Sequence, residues 1–141
     1  MINRLADDGT AILVTTHYLE ESEQCNRLGF MVAGELVAEG SPSEMKRRSA
    51  GRLLELVVDR PQRAADLLKA RRERWRVALF GERLHLMVDG DPDAAGRATA
   101  QELEAAGIRV HGVREAPVSL EDVFIAVVEQ ARDRGAVAAG A

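Results

Sequence analysis

The spacing of apolar positions changes several times along this chain, and each change marks an element. Ile2, Leu5 and Ala6 recur at helical spacing, and Gly9 suits a helix stop. Residues 11–15 form a continuous apolar run, which predicts a strand covered on both faces in a parallel sheet. Thr16 is placed as an N-cap for a helix over residues 17–26. Glu20, Glu21 and Glu23 fall in its first half, where the helix dipole favours negative charge. Leu28–Val32 and residues 35–39 predict a hairpin about Ala33-Gly34. Ser41-Pro-Ser-Glu44 has capping-box spacing with Pro42 at the first helical position, so a short helix is expected over Pro42–Arg48. Ser49-Ala50-Gly51 then reads as a linker.

The second half is more regular. Residues 53–59 read as a strand, and residues 61–72 as a helix with Ala64, Ala65, Leu67 and Leu68 on one stripe. Residues 75–80 and 84–89 are strands around Gly81-Glu82-Arg83. Asp91 caps a helix with Pro92 first, Gly107 ends it, and residues 108–114 form a strand. Ser119-x-x-Asp122 opens a last helix with Val123, Phe124, Val127 and Val128 on one face. The order β-α-β-β-α-β-α predicts an α/β fold of the split βαβ, or ferredoxin-like, kind with an added C-terminal helix. Residues 135–141 have no pattern and are expected to be a disordered tail.

Composition narrows the function classes. The 141 residues suffice for one ordinary domain. With 19 basic and 23 acidic residues the net charge is −4, which gives no global attraction to nucleic acid or anionic lipid. Lys46, Arg47, Arg48 and Arg52 cluster, as do Lys69, Arg71, Arg72, Arg74 and Arg76, but a solvated helix face explains such runs. One cysteine, Cys25, excludes an internal disulfide framework and reads as a small core residue beside Tyr18 and Leu28. No apolar run approaches the roughly 18–20 residues needed to span a bilayer. Residues 1–8 are amphipathic and hold Asp7 and Asp8, unlike a signal peptide. A membrane link is therefore expected to run through a partner.

The candidate chemistry centres on Thr15-Thr16-His17, where the apolar run meets the acidic helix Glu20-Glu21-Ser22-Glu23. A histidine between a buried strand and a helix lies at the rim of a sheet, where ligands collect in open α/β folds. Asn26-Arg27 and the Gly34-x5-Gly40 hairpin follow, and near the other end stands Ser119-Leu-Glu-Asp-Val-Phe124. In this order the segments resemble the histidine switch, downstream hairpin and C-terminal signature of the ATP-binding cassette (ABC) ATPases. The last motif resembles that of the ABC-2-type exporters, the group with drug-resistance and polysaccharide-export ATPases.

The resemblance implies that residues 1–50 are the C-terminal part of a nucleotide-binding domain. It implies that residues 51–134 are an accessory domain, regulatory or dimer-forming. It places His17 at the γ-phosphate of ATP with Thr16 adjacent, and implies ATP and Mg²⁺ for a full-length subunit. That subunit would be cytoplasmic and peripheral to the membrane, with an ABC-2-type permease and a second ATP-binding subunit as partners. A neutral imidazole at a helix start can donate to a phosphate.

The rest of such a machine is absent from the chain. There is no Gly-x4-Gly-Lys-Ser/Thr loop and no Leu-Ser-Gly-Gly signature, and neither Asp59 nor Asp89 is followed by Glu. Phosphoryl transfer needs metal, lysine and backbone donors together, so no ATP hydrolysis is expected of this chain alone. A truncated gene product, a mis-set start at Met1 or a deliberately cut piece would each give such a sequence. The unpaired apolar strand at 11–15 would make residues 1–50 self-associate or remain locally unstable. An alternative class is a stand-alone ferredoxin-like binding or dimerisation module carrying a vestigial cassette segment. A metal site using His17, Glu20, Glu21 and Cys25 is disfavoured because His85 and His111 lie on other strands.

Overall fold

The computed structural model describes residues 2–49 and 51–135. Beyond Gly135, the expected tail lies outside the described residues. The elements run α1 (Ile2–Asp7), α2 (Leu19–Ser22), β1 (Leu28–Val32), β2 (Glu35–Gly40) and α3 (Pro42–Arg48), then β3 (Arg52–Val58) and α4 (Pro61–Arg71). A 3-10 turn at Arg74–Arg76 leads into β4 (Val77–Phe80) and β5 (Arg83–Val88). After these come α5 (Pro92–Ala105), β6 (Val110–Ala116) and α6 (Leu120–Asp133).

Alternation along β3 organises the second half. Leu54, Leu56 and Val58 face one way, and Leu53, Glu55 and Val57 the other. β3 lies inside a four-stranded sheet of order β4-β5-β3-β6. Each adjacent pair in that sheet is antiparallel. On the first face Leu54, Leu56, Leu84, Leu86 and Val77 pack with Ala64, Ala65 and Leu68 of α4 and Leu103 of α5. Small residues let α5 approach closely: a Cβ added to Gly96 would come within 3.1 Å of the Val113 side chain. Gly51 enters β3 with φ +90°, and a Cβ there would stand 2.3 Å from the Val88 carbonyl oxygen.

The first half is built around a second, smaller core. The β1–β2 hairpin pairs Leu28 with Gly40 and shifts register between Phe30 and Met31. Ser41 and Glu44 form the reciprocal capping box that starts α3. Phe30 and Met45 are buried against Leu120 and Val123 of α6. Phe30 also meets Phe124 edge-on, with ring centroids 5.2 Å apart. Helix α6 thus supplies the apolar surface that the hairpin and α3 need.

Several expected elements differ. Residues 11–15 are not a strand: Leu13 is 99% exposed and Val14 50%. A strand exists through its ladder partners, and among the described residues none pairs with this run. The helix expected over 17–26 contracts to the single turn Leu19–Ser22. Trp75 sits in the 3-10 turn rather than in β4, with the Arg76 guanidinium 4.5 Å from its ring centroid. The last strand begins at Val110, because the Ile108 amide is still bonded to the Leu103 carbonyl at the end of α5. Cys25 is half-buried rather than a core residue.

These contrasts set a stability test. Leu56→Ala removes a fully buried side chain and is expected to cost about 2–5 kcal/mol. Leu13→Ala at its exposed position is expected to stay within about 0.5 kcal/mol of the parent. Urea unfolding midpoints of the two variants check the difference.

Candidate functional site

His17 is exposed and precedes α2 rather than lying in it. The turn around it is set by Thr16. The Tyr18 amide donates to Thr16 Oγ1 at 3.0 Å, and that hydroxyl donates to Glu21 Oε2 at 3.1 Å. Thr16 therefore braces the entry to α2 as a side-chain turn, while Tyr18 holds the N-cap position without a side-chain bond. The His17 and Tyr18 rings lie 4.2 Å apart, tilted by 36°. Glu21 is engaged by Thr16, and His17 lies outside the helix, so His17 and Glu21 do not share a helix face. Among the described residues, no three His, Cys, Asp or Glu side chains are grouped so that they could hold a metal ion.

A cleft of about 270 Å³ separates α2 from the start of α6, lined by Leu19, Glu20, Glu23, Ser119, Leu120 and Glu121. The two ends of the chain that carry the sequence motifs are thus brought to one place. Glu23 is bonded to Lys46 of α3 at 2.7 Å. The basic runs are largely matched internally. Arg72 and Arg71 both hold Glu102, keeping its carboxyl below the usual range, and Arg76 bonds Glu73 and Asp89.

The densest polar chemistry lies elsewhere, on the second face of the sheet. Register places Glu55 between His85 on β5 and Arg114 on β6. Glu55 Oε1 accepts from Arg83 at 2.8 Å and from Arg114 Nε at 2.9 Å. His85 Nε2 lies 3.2 Å from Glu55 Oε2, and His85 Nδ1 lies 2.6 Å from Asp122 Oδ1. The other Asp122 oxygen accepts from the amide and hydroxyl of Ser119, at 3.0 and 2.7 Å. The Ser119-x-x-Asp122 motif therefore does two things. It caps α6 and it carries a buried carboxylate to His85.

Burial alone would raise the Glu55 and Asp122 carboxyls. Arg114 and His85 outweigh it for Glu55, His85 and Ser119 outweigh it for Asp122, and both carboxyls fall below their usual values. Burial likewise disfavours a charged His85, but Asp122 and then Glu55 override it and raise the imidazole. The alternation of β3 with one acid in an apolar run was the signal in the sequence for this cluster. His85 and Arg114 could be added only once the strand register was known.

The family "ATP-binding protein DrrA1-3-like, C-terminal domain" matches residues 40–128. The Nod factor export ATP-binding protein I of Rhizobium sp. (strain N33) is 34% identical over 119 residues, 83% of this chain and 36% of that protein. The daunorubicin/doxorubicin resistance ATP-binding protein DrrA of Streptomyces peucetius is 29% identical over 143 residues, 94% of this chain and 41% of that protein. The probable multidrug ABC transporter ATP-binding protein YbhF of Escherichia coli (strain K12) is 41% identical over 49 residues, 35% of this chain and 8% of that protein. The chain spans less than half the length of each of these relatives.

The capping role gives a direct test. Ser119→Ala removes the acceptor for the Asp122 amide and a donor to its carboxylate, and is expected to cost about 0.5–2 kcal/mol. A urea midpoint lowered with unchanged slope checks it. On acidification the contribution of Glu55 and Asp122, complete above roughly pH 4, is expected to be lost as pH falls through their depressed values. Acid unfolding followed by circular dichroism reads that limb.

Proposed function

The chain belongs to the family of DrrA1-3-like ATP-binding protein C-terminal domains, and from that premise we propose how it serves an ABC exporter's ATP-binding subunit. Residues 1–50 act as the end of the nucleotide-binding domain, and residues 51–134 as an accessory regulatory or dimer-forming domain. The accessory domain is ferredoxin-like. Supporting this are the strand order β4-β5-β3-β6 and the placement of α4 between β3 and β4 and of α5 between β5 and β6. The full subunit uses ATP and Mg²⁺ to drive an ABC-2-type permease from the cytoplasmic face, working as a pair of ATP-binding subunits. Its cargo is a small hydrophobic compound or a glycan; the relatives' names speak of Nod factor export and of daunorubicin/doxorubicin resistance.

The observation that carries this reading is the family match over residues 40–128, with the Ser119–Phe124 motif inside it. His17 acts as the histidine switch in that setting. Its exposure at the start of the acidic turn leaves the imidazole free to reach a phosphate. As a nucleotide site by itself the donor set does not fit. Thr16 is committed to Glu21, α2 has four residues, and the chain has no phosphate-loop lysine motif. No hydrolytic step is assigned to this chain alone.

Two outcomes are expected. The purified chain gives no Mg²⁺-dependent phosphate release above the buffer blank. Turnover that disappears in His17→Ala would overturn that. In the full-length subunit with its permease, His17→Ala is expected to lower kcat and kcat/KM together by on the order of 10²- to 10³-fold, with normal expression. Unimpaired transport by that variant would remove His17 from the switch role.

A further inference from the structure

His85 is flanked by two carboxylates, one on each ring nitrogen: Asp122 at 2.6 Å and Glu55 at 3.2 Å. A neutral imidazole has one N–H and one lone pair, so it can satisfy one of these partners and turns a lone pair on the other. The imidazolium has two donors and satisfies both. The two acids belong to different parts of the molecule. Glu55 is on β3, at the centre of the four-stranded sheet, and Asp122 opens α6, whose apolar face holds Phe30 and Met45 of the smaller core.

We propose that His85 is a proton-operated latch: the imidazolium ties Glu55 of β3 to Asp122 of α6, and loss of its proton loosens α6 from the sheet. The inference stands apart from the nucleotide reading and needs no ATP.

The surroundings favour a charged ring. From β3 the facing group is Glu55, from β5 Arg83, from β6 Arg114 and from α6 Asp122 with Ser119. Arg83 and Arg114 both bind Glu55 Oε1, which leaves Oε2 for the histidine. β4 contributes the Phe80 ring, its centroid 4.5 Å from that of His85, which covers the imidazole without competing for its protons. The 3-10 turn that packs on α6 carries Arg76, whose charge is matched by Glu73 and Asp89. His85 is held above its ordinary value of 6.5, so its contribution is complete below about pH 6.5 and is lost as pH rises through the raised value. Glu55 and Asp122 set the opposite limit, so the latch is closed between the acid titration of those carboxylates and the titration of His85.

Loosening at this point has a defined geometry. Asp122 is also the partner of the Ser119 amide and hydroxyl. A change at His85 therefore reaches the first turn of α6 directly, and through Leu120 and Val123 it reaches the hairpin and α3.

The test uses the intact chain. Long-range ¹H–¹⁵N spectra follow the His85 ring through its titration, and amide exchange of residues 120–130 is measured on either side of that titration and corrected for intrinsic rate. Both ring nitrogens are expected to be protonated at pH 6. Protection of α6 is expected to be lost in part once the ring is neutral, with β3 amides changing less. In His85→Gln the pH-dependent step should vanish. A second variant, Glu55→Gln, should lower the midpoint of the ring titration, because the carboxylate no longer favours the charged form. A ring already neutral at pH 6, α6 protection indifferent to the ring's titration, a pH step retained in His85→Gln, or an unmoved midpoint in Glu55→Gln would each overturn the latch.

Discussion

The side chain of Glu55 is 9% exposed, in the middle of a sheet face, and its charge has to be answered there. Three groups from two other elements do so, Arg83 and His85 from β5 and Arg114 from β6, and His85 in turn bonds Asp122 of α6. A buried carboxylate left without partners costs several kcal/mol, so the register of β3 against both neighbours and the seat of α6 are all constrained by one side chain. The face is graded along its length. Leu53 and Met87 at one end are buried, the charged rung lies in the middle, and Val57 and Arg83 at the far end are open.

This grading divides the labour between the two cores. The larger core, under α4 and α5, is made from the second half alone and contains fully buried Leu56, Leu68, Leu84, Leu86 and Leu103. The smaller one combines residues from both ends of the chain, Phe30 and Met45 with Leu120 and Val123. Of the large apolar side chains left exposed among the described residues, all but Val57 lie before residue 37. The core face of the four-stranded sheet is thus covered from within the second half, whereas the first half depends on α6 for the cover it has.

Elements with local rules were legible in the sequence. The capping boxes Ser41–Glu44 and Ser119–Asp122 and the Asp91-Pro92 start of α5 are where the residue types require them, because each is settled within four residues. The hairpin over Leu28–Val32 followed for the same reason. Residues 11–15 were misread because an apolar run specifies a strand only if a ladder partner accepts it, and periodicity says nothing about partners. His17 stood out through its motif. His85 did not, since its meaning comes from a cross-strand partner and a helix partner, 30 and 37 positions away in sequence.

The sharing of α6 also fixes an order of events on the ribosome. Phe30 and Met45 leave the exit tunnel before the side chains that bury them, Leu120 and Val123. At roughly 5–20 residues per second, the 75 positions from Met45 to Leu120 take on the order of 4–15 s to translate. Throughout that interval the nascent hairpin and α3 show a bare aromatic and a bare thioether, and Ile12, Leu13 and Val14 a few residues earlier in sequence are exposed as well. Such a chain offers a sticky, slowly completed surface to chaperones during translation, and that exposure ends when α6 emerges.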